Sequence, residues 1–146
     1  MSLDATDPAE RVDLLISLTE RLTGLMAHES AAFESHRPQD ALAGAEETGR
    51  LANLYRHESM RVRKDPELIA QAPLARRRQL MAVTTAFDAA LARHGRAVAA
   101  AKTVTEGLVR AIAEEVASQR SSGAGYSQGG RPQETSATAV TLNRRA

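Results

Sequence analysis

The chain has 146 residues, with 42% apolar but only 3% aromatic side chains, and no Trp. That length suits one domain, and an apolar content made of Ala, Leu and Val is that of helices packed through small side chains. Nineteen basic residues against eighteen acidic ones argue against a general electrostatic grip on nucleic acid or anionic membrane, and the absence of Cys excludes a disulfide framework, a thiolate metal site and a cysteine nucleophile.

The opening from Met1 to Arg11 is polar and acidic, without the basic and then apolar pattern of a secretory leader. No apolar run approaches the length of a membrane span. A cytoplasmic protein with no membrane insertion is expected.

Asp7-Pro8-Ala9-Glu10 reads as a helix start, with Asp at the cap, Pro in the first helical position and Glu three residues after the cap. The first helix is predicted to run to about His36. Its seam is Leu15, Leu18, Leu22, Leu25, Glu29 and Ala32, and Val12, Leu14, Met26 and Phe33 widen it enough to pack against more than one neighbour. Arg37-Pro38 ends it, because the residue before proline is pushed out of helical geometry.

A second helix is predicted over about residues 38–64. Its seam is weaker, and Gly44 and Gly49 each cost up to about 1 kcal/mol relative to Ala. Those glycines either permit close backbone approach or make this the least stable helix. Asp65-Pro66-Glu67 starts a short helical turn through Leu68 and Ile69, closed by Pro73.

The third helix is the longest. No proline falls between Leu74 and Arg131, so nothing forces a break. Leu80, Thr84, Phe87, Leu91, His94, Val98, Ala101, Thr105, Leu108 and Ile112 alternate by four and three, a mean period that keeps one stripe against a partner over many turns. Over about residues 74–119 such a helix would be roughly 70 Å long. From Ser121 the chain turns to Ser, Gly, Thr and Ala, which bury too little surface to offset ordering entropy. The expectation is therefore an all-α chain: an antiparallel three-helix bundle or coiled coil over residues 1–120, with one long C-terminal helix, and a disordered tail over residues 121–146.

No catalytic or metal chemistry stands out. A di-iron bundle needs Glu-x-x-His pairs, but Leu25, Phe33, Leu54 and Leu91 precede the four histidines by three. No H-E-x-x-H occurs. Gly123-Ala124-Gly125 follows a helix rather than a strand and reads as a linker, not half of a dinucleotide fingerprint. The chain reads as a non-enzyme without cofactor or metal. Of two basic clusters, Arg56, Arg61, Arg63 and Lys64 sit where cations favour a helix C-terminus. Arg76, Arg77 and Arg78 sit at a helix N-terminus, as solvated surface or as a docking patch for an acidic partner. His94, Thr84 and Thr105 on the long seam are either hydrogen-bonded inside it or signs that it is not wholly covered.

Neither shorter helix is long enough to cover the third. The C-terminal half of the third helix, with Val98, Val104, Leu108, Val109, Ile112 and Val116, is expected to protrude, and an exposed apolar stripe of that length marks a partner site. The partner is a second copy or a different chain.

The order of elements resembles the FlgN-like flagellar export chaperones, a group with FlbY-type members. The likeness lies in the leucine-rich opening helix (Leu14-Leu15-Ile16-Ser17-Leu18-Thr19-Glu20-Arg21-Leu22, continuing to Glu29 and Phe33), the shorter second helix, the long alanine-rich third helix, and the closing Gly123-Ala124-Gly125-Tyr126-Ser127-Gln128-Gly129. It covers about residues 9–130; the glycines of the second helix and the tail after Pro132 depart from it. The resemblance implies a cytoplasmic chaperone for type III export. It would bind helical segments of flagellar hook–filament junction proteins along Val98, Ala101, Thr105, Leu108, Val109, Ile112 and Val116, and meet an export gate component through Tyr126. A homodimeric coiled coil and, behind it, a regulator binding nucleic acid through Arg76 to Arg78 stand as alternatives.

Overall fold

The structure, a computed structural model, describes residue 5 and residues 7–125. Five helices follow in order: α1 (Pro8–Glu34), α2 (Pro38–Leu42), α3 (Ala45–Lys64), α4 (Glu67–Ala70) and α5 (Leu74–Gly125). No strand occurs among the described residues. The chain divides into two compact units, Met1–Glu106 and Gly107–Ala146.

In the first unit α1 is the central element. It starts as its sequence dictates, with the Asp7 carboxylate accepting the Glu10 amide at 3.2 Å and Pro8 in the first turn. Two lines of side chains are buried, Leu15, Leu18, Leu22, Glu29 and Ala32 on one, Val12, Ile16, Thr19, Met26 and Ser30 on the other. Thr19 and Ser30 need no partner from another helix, because their hydroxyls donate to the carbonyls of Leu15 and Met26 at 2.7 and 2.8 Å. Of the widening positions, Val12 and Met26 are buried, Phe33 is half-buried and Leu14 is exposed. α1 ends two residues before the predicted His36. His36 itself adopts φ 57°, its amide bonds the Phe33 carbonyl, and the Arg37 amide bonds the Ala32 carbonyl. This paired closure normally uses glycine at the left-handed position.

Cross-helix pairs fix the directions. Asp13 meets Arg76 and Glu34 meets Arg93, so α1 and α5 run the same way. Arg11 meets Glu58 and Glu29 meets Thr48, so α3 runs against them. The result is the expected antiparallel bundle. Val12, Ile16 and Ala72 form one cluster, joined by Ile69, Leu80 and Val83. Leu22, Met26 and Phe87 form another, against Leu51, Ala52, Tyr55 and Ala90. Tyr55 and Phe87 stack tilted at 4.7 Å.

Buried polar groups are answered across helices. Glu58 is fully buried; Arg11 donates to it at 3.4 Å and to the Ala5 carbonyl at 2.6 Å, and Arg61 reaches its other oxygen at 3.3 Å. Glu29 joins three helices: Thr48 Oγ1 donates to one oxygen at 2.6 Å, and His94 Nε2 lies 2.9 Å from the other. Phe33 stands edge-on to the His94 ring. His94 is thus a hydrogen-bonded seam residue, and Thr84 bonds back to the Leu80 carbonyl.

Three expectations need correction, and one open alternative is closed. The helix over residues 38–64 is two helices, α2 and α3, broken at Ala43-Gly44, where Gly44 takes the cap position of α3 and its weak helical preference lets the axis restart. Gly49 does not mark a close approach, since nothing lies within 4 Å of a Cβ built there. The seam of α5 also shifts at two positions. Phe87 and Ala97 are buried, with Leu80, Val83, Thr84, Ala90, His94 and Ala101 half-buried, so Ala90 and Ala97 stand where Leu91 and Val98 were expected. Leu91, expected inside, is 46% exposed. Arg93 lies on the side of α5 that carries Ala90 and Ala97 and bonds Glu34 at 2.9 and 2.7 Å. α5 also continues through residues 121–125, beyond the expected start of the tail. The rest of the tail lies outside the described residues.

Candidate partner-binding surface

Helix α5 carries the candidate surface. Two features build it: an uninterrupted helical run with no proline, and large apolar residues recurring at three- and four-residue steps. In the first unit, Val98 is exposed, Ala101 half-buried, and Thr105 exposed with its hydroxyl on the Ala101 carbonyl at 3.0 Å. In the second unit every residue from 107 to 123 is exposed. Leu108, Val109, Ile112 and Val116 belong to it, with side chains 42–60% exposed. In the first unit Val104 is 55% exposed. Tyr126, the last of the expected contacts, lies outside the described residues.

The surroundings of the stripe are nearly neutral. Lys102 pairs with Glu106 at 3.8 Å one turn apart, and Gln119 donates to Glu115 at 3.0 Å. Glu115 is seven residues from Leu108 and three from Ile112, so it borders the apolar line, and pairs one turn apart are those of a solvated helix.

The arginines at the start of α5 have mostly internal duties. Arg76 pairs with Asp13 at 3.4 Å and bonds Gln79, while Arg77 donates to the Ala72 carbonyl at 3.1 Å. They tie the first turn of α5 to α1 and to the α4–α5 connection, which offsets an unfavourable position for cations at a helix N-terminus. Arg78 is exposed and makes no such bond among the described residues. No group of three or more His, Cys, Asp or Glu residues that would hold a metal occurs among the described residues. No helix among them is long and apolar enough to cross a membrane.

The strongest exposed ion pair is Glu34 with Arg93. The Arg93 hydrogen bond holds the Glu34 carboxyl below the usual carboxylate range, and Glu34 in turn raises the Arg93 guanidinium.

Fold and surface together define an all-helical protein whose last helix presents an uncovered apolar face. The chain is 56% identical to the flagellar basal-body protein FlbY of Caulobacter vibrioides, over 151 aligned positions that cover 100% of both chains. It belongs to that family. No protein-family model and no solved structure matches it.

Proposed function

We propose that this chain is a flagellar assembly chaperone that holds an amphipathic helical segment of an export client against the apolar stripe of α5. The observation that carries the reading is the run of large apolar residues from Leu108 to Val116, each 42% or more exposed. The kinship with a flagellar basal-body protein supports a flagellar setting. The resemblance to FlgN-like chaperones supplies the rest: clients among the hook–filament junction proteins, a cytoplasmic location, and delivery to an export gate component.

Helix-in-groove recognition suits this stripe. A client helix with apolar residues at matching steps covers surface that would otherwise aggregate, and it is kept from folding further until export. No nucleotide, metal or redox cofactor takes part. The exposed apolar run from Leu108 to Val116 is the kind of surface that marks an interaction site.

The test is light scattering behind a sizing column, on the protein alone and mixed with C-terminal fragments of hook–filament junction proteins. A monomer that shifts to a one-to-one complex supports the proposal, and Leu108→Asp or Ile112→Asp should abolish the shift while helical content stays within a few per cent. A tight homodimer that ignores the fragments would sink it. The relative's own name favours a second reading, residence in the basal body. It predicts that the protein co-purifies with isolated basal bodies and not with unexported client.

A further inference from the structure

A second surface lies on the outer face of α3, in the first unit. Two open depressions share His57 and together follow this face from Arg50 to Lys64, roughly 21 Å of helix. Leu51, Leu54 and Met60 give them an apolar floor, and Met60 is 62% exposed. Methionine at that exposure suits a surface that adapts to a bound chain.

The charge of this face is one-sided. Residues 49–64 contain five cations, Arg50, Arg56, Arg61, Arg63 and Lys64, and one carboxylate, Glu58. Glu58 is fully buried against Arg11 and Arg61, so it cannot neutralise the outside. None of the described residues lining the depressions is a carboxylate. Among the described residues Arg50, Arg63 and Lys64 take part in no ion pair. The helix dipole accounts for cations in the last turn, but not for Arg50 near the beginning of α3 or for the exposed Met60.

We infer that the outer face of α3, from Arg50 to Lys64, docks an acidic amphipathic helix of a partner protein. About four turns of such a helix match the length of the furrow, its apolar side meeting Leu51, Leu54 and Met60 and its carboxylates meeting the cations. Charge decides against the other occupants. A second copy of α3 would set cations against cations. The chain beyond residue 125 contains Arg131, Arg144 and Arg145 against the single acidic side chain Glu134, so it is repelled by the same face.

The test uses a fluorescent eighteen-residue helix with Leu at i, i+3, i+4 and i+7 steps and Glu elsewhere, and a second with Lys in place of every Glu. Anisotropy is read with the full chain at low and at moderate salt. The Glu peptide should bind and the Lys peptide should not. Arg50→Glu combined with Arg63→Glu should weaken binding at least tenfold with an unchanged helical spectrum. Met60→Ser, which leaves every charge in place, should weaken it a few-fold. Added salt should weaken it too. Equal binding of both peptides, or indifference to the charge reversal, overturns the proposal. So does displacement of the peptide by phosphatidylserine vesicles or a twenty-base-pair DNA duplex at lower concentration than by unlabelled Glu peptide, which would make the face a membrane or nucleic-acid contact.

Discussion

The residues before and after Glu106 solve the same sequence problem in opposite ways. Both stretches carry apolar residues at helical spacing. In the first unit α1, α3 and the earlier part of α5 bury them against one another, with Leu22 only 1% exposed. From Gly107 to residue 123 not one side chain is buried or half-buried. Periodicity therefore tells that a helix has an apolar face, and says nothing about whether that face is already covered. A stripe left open is available for binding.

Mutations sharpen this contrast. The largest effect is expected at Leu22. Leu22→Ala removes a fully packed side chain and should lower stability by about 2–5 kcal/mol in urea unfolding. Ile112→Ala should stay within about 0.5 kcal/mol. Comparable losses at the two sites would mean that the Ile112 face is covered after all.

Next comes the polar link of the bundle. Thr48→Val takes a donor from the buried Glu29 while His94 remains, at an expected cost of about 1–3 kcal/mol. Unfolding followed at Tyr55 would register it, and an unchanged midpoint would show that water replaces the hydroxyl.

His36→Gly acts in the other direction. A non-glycine residue in the left-handed region costs about 1–2 kcal/mol, and part of the relief is returned to the freer unfolded chain, so a net gain of about 0.5–1 kcal/mol is expected. The smallest effect belongs to Glu34. Its carboxyl is depressed by Arg93, so its contribution is present at neutral pH and is lost as pH falls through the lowered value. Glu34→Gln should flatten the acid limb of the stability profile slightly, and less so in high salt.

Much of the fold is legible in the chain. Asp7-Pro8 and Glu10 announce α1 because capping is settled within three residues. Arg37-Pro38 and Pro73 mark ends because proline acts on its immediate neighbour. The doubled stripe of α1 shows that it has two neighbours. The break at Gly44 was less legible: a glycine inside a predicted helix carries a cost in either outcome, and only packing decides whether the helix pays it or restarts. The candidate stripe could be read as a periodic run, Leu108 to Val116, but its openness rests on the lengths of other helices. The outer face of α3 is not legible in the sequence, since most of its cations stand where the helix dipole favours them in any case.

The sequence by itself determined that the chain is helical, where most helices begin and end, and that α5 carries an apolar line seven residues in repeat. Those are short-range matters of capping, proline and spacing. Only the tertiary structure decided which phase of that line faces inward. Residues 90 and 97 and residues 91 and 98 satisfy the spacing equally, and the choice depends on where α1 and α3 sit, through contacts between residues far apart in the chain such as Met26 and Phe87. The same holds for Glu58 with Arg11 and for Glu29 with His94: a buried charge is tolerable only where a partner from another helix arrives, and which one arrives is a property of the packed chain.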